Sequence, residues 1–242
     1  RMLKYLKYPI TVQRNKTYDK ISVQGLSQFK SFNYKVPGDI SSAAFFIVIT
    51  LLSNKSKIII KNVNVNETRT GVITILNKMG ANIKLREKKI YKGEKIANIH
   101  VESKKSLKGI NCSSKLNSSA IDEFLIIFLV AAKAKGVSIF KELGEMNKKE
   151  SKRLDLGIKF LKKIGIKVDR FKDDIKIYGN PNLELSKNYE MKNFLKDHRI
   201  FFLSCIAALT LGGKWKIHDK DSIKTSFPNF LKILRTIGAN IN

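Results

Sequence analysis

Cysteine, histidine, proline and tryptophan are all scarce in this chain of 242 residues, which has two, three, four and one of them respectively. Cys112 and Cys205 lie too far apart to form a disulfide framework or a zinc-ligand pair, and two unpaired thiols point to a reducing, cytoplasmic setting. His100, His198 and His218 are equally dispersed, so no metal is expected. Long apolar runs are missing too. The stretches 43–52, 121–132 and 200–211 reach roughly 10 to 12 residues, whereas a membrane-spanning helix needs about 20. They read as buried helices, and no membrane partner is expected.

Acidic residues are also few, with Asp+Glu 20 against Lys+Arg 47 and a net charge of +27. Such an excess ordinarily suggests nucleic acid. Only 8 of the 47 are arginine, however, and the chain is equally rich in asparagine and isoleucine, as an adenine- and thymine-rich genome favours. The lysines are spread through loops and helix faces instead of gathering beside aromatic side chains, as a base-stacking surface requires. No nucleic acid is therefore expected. With 43% apolar and 28% charged residues, the chain can build a sizeable core.

The strongest positive signal is an internal repeat. Three segments share one grammar: an aspartate, a helix apolar on nearly every face, a short β-branched strand (57–63, 136–143 and 213–219), an amphipathic helix, and a glycine followed by Ile or Ala-Asn-Ile that opens a further strand. They run from Asp39 to Gly80, Asp122 to Gly165 and Asp197 to Gly238, separations of 41, 43 and 41. Hairpin-like strands follow the first two glycines, at 83–102 and 166–178. An α/β fold is predicted, of repeated β-α-β-α-β-β units with pseudo-threefold symmetry. Residues 2–12 overlay 75–85 in apolar pattern, like the tail of a fourth unit, and the first residue is Arg1. The expectation is the C-terminal part of a longer protein, with residues 1–36 the tail of a preceding domain and 37–242 a C-terminal domain. Pro37-Gly38 marks the crossing.

Chemistry is expected at the starts of the apolar helices, where unpaired N–H groups favour anions. N-capping accounts for each aspartate singly, but as repeats the three place acidic helix starts around one cleft. Lys149-Glu150-Ser151-Lys152-Arg153 brackets a carboxylate with two cations, which on residue types alone also reads as a solvated helix start. Asp197-His198-Arg199 opens a helix that at once becomes apolar, so its polar groups gather at the mouth.

These segments resemble a known family. Pro37-Gly38-Asp39-Ile40-Ser41-Ser42-Ala43, Asn66-Glu67-Thr68-Arg69-Thr70-Gly71, Ile121-Asp122-Glu123, Lys149 to Arg153, Asp197-His198-Arg199 and Ser226-Phe227-Pro228 match, in order, the motifs of EPSP synthase, 3-phosphoshikimate 1-carboxyvinyltransferase. The resemblance covers essentially the whole chain. It implies a two-domain protein of six such repeats, monomeric at full length, of which this chain holds three and a half. It further implies transfer of the enolpyruvyl group of phosphoenolpyruvate to the 5-hydroxyl of shikimate 3-phosphate, with no cofactor. The partners implied are those two substrates and the missing N-terminal half, without which the isolated piece is expected to be inactive.

By the same resemblance, Asp122 matches the base toward the attacking hydroxyl and Glu150 the group exchanging a proton at the enolpyruvyl methylene. Lys149 matches a lysine near that hydroxyl, Arg153 and Arg199 the arginines that hold phosphoenolpyruvate, and His198 and Asp197 lie beside them. A family lysine before Ser-Phe-Pro falls on Lys224 or Thr225. Two carboxylates in distinct environments suit an addition in which carbon gains a proton as a hydroxyl loses one, and guanidinium groups suit substrates rich in phosphate and carboxylate. The chain departs from the pattern at Lys152 (usually aspartate), at Asn147 (commonly arginine) and at Phe124-Leu125, which lacks a proline. A sister transferase acting on a UDP-sugar fits the lysine-glutamate-serine and aspartate-histidine-arginine segments less well. The alternative from another class is a non-catalytic anion- or nucleic-acid-binding module of the same fold.

Overall fold

The computed structural model describes residues 1–26, 28, 30–104 and 106–241. The chain opens with a short helix, α1 (Met2–Tyr5), and an antiparallel hairpin, β1 (Ile10–Arg14) with β2 (Asp19–Val23). A first unit follows as α2 (Ile40–Leu52), β3 (Lys57–Asn64), α3 (Gly71–Lys78), β4 (Asn82–Tyr91) and β5 (Glu94–Glu102). The second comprises α4 (Asn117–Ala120), α5 (Phe124–Lys133), β6 (Gly136–Phe140), α6 (Arg153–Lys163), β7 (Val168–Phe171) and β8 (Asp174–Gly179). The third comprises β9 (Leu185–Met191), α7 (His198–Leu211), β10 (Gly212–Ile217) and α8 (Phe230–Thr236).

Two sheets, in the orders β3-β5-β4 and β6-β8-β7, are antiparallel throughout, while β9 and β10 pair in parallel across α7. The parallel pairing recurs in reduced form as single bridges, Gly38 with Val63 across α2, and Lys108 with Lys135 and Asn111 with Ile139 across α5. Each unit is thus strand, apolar helix, parallel strand, outer helix, as the repeat grammar requires, although the leading strand reaches full length only in the third.

The apolar helices α2, α5 and α7 touch one another pairwise and form the centre. A helix apolar on every face has nowhere else to go. Phe45 and Phe46 of α2 meet Phe202 of α7 and Phe230 of α8, the closest rings, Phe202 and Phe230, being 4.4 Å apart. Hydroxyls in the body of these helices bond back within the helix, Thr50 to the Phe46 carbonyl and Ser204 to that of Ile200. The sheets lie outside these helices.

The glycines that end the outer helices do the same thing each time. Gly80, Gly165 and Gly238 take φ of 94°, 81° and 98°. The next N–H then reaches back to the helix: Ala81 to Leu76, Ile166 to Leu161 and Ala239 to Leu234, each 3.0 Å. Lys7, aligned with Gly80, adopts φ 56°, and Tyr8 N–H bonds Leu3 in the same pattern before β1 begins. The opening of the chain therefore follows the helix-turn-hairpin order of a unit's tail. Arg1 pairs with Glu67 at 3.3 Å and the Lys35 N–H donates to the Tyr91 hydroxyl, while the hydrophobic core begins at Ile40.

Several expected boundaries differ. The apolar run 121–132 is not one helix: Glu123 N–H turns back to the Ala120 carbonyl, so residues 121–123 form a turn between α4 and α5. The strand expected at 136–143 stops at Phe140, because Glu142 takes φ 58° and the Leu143 N–H leaves for Asp173. The strand expected at 213–219 runs Gly212–Ile217, and Asp219 turns away with φ 59°. No strand forms at 239–241, where β4 and β7 have hairpin partners and this segment has none among the described residues.

Candidate active site

Four local features bring charged groups to one end of the central helices. The turn before α5 presents Asp122 and Glu123, and a 3₁₀ turn after β3 (Glu67–Arg69) presents Arg69. Residues 149–152 lead into α6 with Arg153 as its first residue, and the start of α7 supplies Asp197, His198 and Arg199.

Asp122 is the focus. One carboxylate oxygen lies 3.3 Å from Lys149 Nζ and 3.4 Å from Arg153 Nη1; the other lies 3.4 Å from Arg69 Nη1 and 3.8 Å from Arg199 Nη2. Arg199 also donates to the Asp122 main-chain carbonyl. Burial alone would raise the Asp122 carboxyl, but Arg199, Lys149 and Arg69 outweigh it and hold the group below its ordinary value. The aspartate expected to cap α5 does not do so: Glu123 occupies the cap position, and Asp122 faces the cations. Asp39 and Asp197 are true caps, accepting from the N–H groups of Ser42 and Arg199 at 2.8 and 2.9 Å.

Arg153 is only 1% exposed. Its Nε donates to Asp197 at 3.0 Å, and its Nη2 lies 2.6 Å from Glu150 at ion-pair distance without hydrogen-bond geometry. This corrects the solvated-helix-start reading, since a guanidinium that far from water needs its carboxylates. The Glu150 side chain, by contrast, is 63% exposed. The Asp197 carboxylate has no exposed surface; it takes hydrogen bonds from the Ser151 hydroxyl (2.6 Å), Arg153 Nε and the Arg199 N–H. Burial opposes its charge, yet the Ser151 hydrogen bond and Arg153 lower its proton affinity on balance. The resemblance sets Asp197 beside the substrate-holding arginines, but its oxygens are engaged by the protein, and it ties the start of α6 to that of α7.

His198 is half-buried, and burial, reinforced by Arg199 and Arg153, lowers its proton affinity. With Glu150, Asp219, Lys220 and Thr225 it borders a cavity of about 770 Å³. Thr225 is on that wall. Lys224 is not; it is exposed and paired with Asp221 at 2.9 Å. Asn147, one of the departures, receives the N–H groups of Leu154 and Asp155 at 2.9 and 3.3 Å and so caps α6 from a distance. Lys152 is exposed.

The structure thus brings together Asp122, Lys149, Glu150, Arg153, Asp197, His198 and Arg199 from across the chain, and leaves Lys224 aside. It adds three residues that sequence reasoning gave no role: Arg69, Glu123 and Ser41. All three lie in quoted motifs, and the adjacency of Glu123 to Asp122 is the available signal. Three buried polar atoms of this cluster have no hydrogen-bond partner among the described residues: Glu123 Oε2, Arg153 Nη2 and Arg199 Nε. Arg153 Nη2 is met by the Glu150 carboxylate, which leaves Arg199 Nε as an orphan guanidinium donor that, in a cation-rich cleft, suits an anionic ligand.

Comparison with known proteins agrees. The family model for EPSP synthase (3-phosphoshikimate 1-carboxyvinyltransferase) matches residues 1–234. The 3-phosphoshikimate 1-carboxyvinyltransferase of Ruthia magnifica subsp. Calyptogena magnifica is 41% identical over 246 residues, covering 100% of this chain and 54% of that protein. That of Bacillus pumilus (strain SAFR-032) is 37% identical over 221 residues, covering 91% and 51%. The solved EPSP synthase from Acinetobacter baumannii superposes with a TM-score of 0.88 at 33% identity, covering 100% of this chain and 54% of that one. The enolpyruvyl transferase NikO from Streptomyces tendae, at 12% identity and a TM-score of 0.69, shares the fold. The chain spans about half the length of the curated relatives it matches. With its repeat fold, its charged cleft and these likenesses in agreement, the chain belongs to the EPSP synthase family.

Proposed function

We propose that residues 37–242 form one wall of an enolpyruvyl-transfer site, and that residues 1–36 belong to a preceding domain carried by the other half of a longer protein. The reaction joins the enolpyruvyl group of phosphoenolpyruvate to the 5-hydroxyl of shikimate 3-phosphate, yielding 5-enolpyruvylshikimate 3-phosphate and phosphate. The observation that carries this reading is the convergence of Lys149, Arg153 and Arg199 on Asp122, with Arg199 Nε left without a hydrogen-bond partner among the described residues.

In the addition step, the hydroxyl oxygen bonds to C2 of phosphoenolpyruvate while C3 gains a proton. In the elimination step, the C2–O bond to phosphate breaks and C3 loses a proton, restoring the double bond. Asp122, kept ionised by its cations, accepts the hydroxyl proton, and Lys149 on the same carboxylate orients that exchange. Glu150 is the solvent-facing carboxyl group of the cluster, able to give a proton to C3 in the addition and take one back in the elimination without carrying the burial cost of its neighbours. Arg153 and Arg199 hold the phosphoenolpyruvate anion, beside His198.

Phosphate release with both substrates tests this. The chain alone is expected to bind inorganic phosphate weakly and not to turn over, since one wall cannot exclude water and align two substrates. Adding the complementary half as a separate chain is expected to restore turnover, with Glu150→Gln lowering the rate by about 10² or more. Robust activity from the chain alone, or an inactive pair with both halves folded, would overturn the proposal.

A further inference from the structure

Glu123 stands next to the focus of the site but has a different environment. Its side chain is wholly buried, and Oε1 accepts the Ser41 hydroxyl at 2.6 Å. The same Ser41 oxygen receives Arg69 Nη2 at 2.8 Å. Oε1 also lies 3.8 Å from Arg69 Nη2 and 3.6 Å from Arg199 Nη1, the two guanidinium groups that flank the second oxygen of Asp122. Arg69 comes from the first unit, Glu123 from the second and Arg199 from the third. A short chain of contacts, Arg69 to Ser41 to Glu123 to Arg199, therefore crosses all three units behind the Asp122 carboxylate.

We propose that Glu123, acting with Ser41, is a positioning residue that holds Arg69 and Arg199 against Asp122 and thereby keeps that carboxylate ionised. This role deepens the enolpyruvyl-transfer reading, on which its consequence for the reaction rests. Arg69 is about one-third exposed and is placed by a 3₁₀ turn only three residues long, so without its Ser41 and Glu123 contacts the long side chain is free to swing into solvent. The groups facing Asp122 are Arg69, Lys149, Arg153 and Arg199, with Glu123 as the adjoining carboxyl; those facing Glu123 are Ser41, Arg69, Arg199 and Asp122. Burial pushes the Glu123 carboxyl up, and Ser41, Arg199 and Arg69 offset only part of this. An acid or a carboxylate at this position can accept the Ser41 hydroxyl, so the brace does not depend on its charge.

That last point separates positioning from simple electrostatics. In this chain the Asp122 carboxyl can be titrated by ¹³C NMR with no substrate present. Glu123→Gln keeps an oxygen for Ser41 and the arginines but removes any negative charge; the Asp122 midpoint is expected at or below the parent value. Glu123→Ala removes the oxygen and releases the arginines, and the midpoint is expected to rise. Should Glu123→Ala fail to fold, Ser41→Ala cuts the same chain at a less demanding position and is also expected to raise it. A midpoint unmoved or lowered in whichever alanine variant folds, or raised in Glu123→Gln as much as in alanine, would overturn the proposal. Inorganic phosphate titrated into the parent chain is a separate control. Failure to bind there, with Asp122 responding as expected, would count against the transfer reading and leave the positioning role standing.

Discussion

At the scale of single residues, the site depends on carboxylates whose burial would be unfavourable without their partners. Asp197 is the extreme case, fully enclosed yet lowered in proton affinity by Ser151 and Arg153. A group whose folded value lies below its unfolded one, near 3.9 for aspartate, contributes stability that is complete above the unfolded value and is lost as pH falls through the folded value. Asp197→Asn leaves Arg153 buried beside a neutral amide and is expected to cost about 3–5 kcal/mol at pH 7, with a smaller difference near pH 3. Urea unfolding at the two pH values measures it, and a cost independent of pH would contradict the assignment. The sequence offered Asp197-His198-Arg199 as a polar mouth, which is correct. It could not say that Asp197 faces inward, because that depends on Ser151, 46 positions away.

At the scale of elements, two kinds of glycine separate local from tertiary constraint. Gly165 ends α6 with φ 81°, and a methyl group there meets nothing within 4 Å. Gly165→Ala is expected to cost about 1 kcal/mol through backbone strain alone and to leave phosphate binding unchanged. Gly71 opens α3 directly against α4, where a methyl group would sit 2.4 Å from Ser119 Oγ and 2.8 Å from the Ser119 carbonyl carbon. Gly71→Ala is expected to cost roughly 1–3 kcal/mol and, by shifting the adjoining turn that carries Arg69, to weaken phosphate binding as well. Thermal melts and phosphate titrations of both variants check this; equal effects on binding would show that the close approach does not matter to the site. Both glycines lie in recognised motifs, but only the first owes its need for glycine to its own helix end.

At the scale of the whole molecule, the core and the opening segment differ in how firmly they are held. Of the described residues from 13 to 36, only Tyr34 is other than exposed, whereas α2, α5 and α7 are buried nearly throughout. Local opening should therefore begin in the exposed segment. Limited trypsin digestion is expected to cut first between Arg14 and Lys35 and to leave a core close to residues 36–242 whose cooperative melt is little changed. Early cleavage within the outer sheets, or a core that unfolds once trimmed, would contradict this division.

The repeat, its period and its α/β class were determined by the sequence alone, because a helix apolar on all faces, a β-branched strand and a glycine-ended amphipathic helix are each written locally in side-chain type. The same locality made Asp122, Lys149, Glu150, Arg153 and Arg199 visible as motif residues. Tertiary structure alone decided where each carboxylate sits and what it touches. It turned Asp122 from an expected helix cap into the meeting point of four cations, enclosed Arg153 and Asp197, left Glu150 in solvent and linked Ser41, Arg69 and Glu123 behind the site. Charge and burial act through space over a few ångströms, and the groups that set them here are separated by tens of positions along the chain, so no local pattern carries that information.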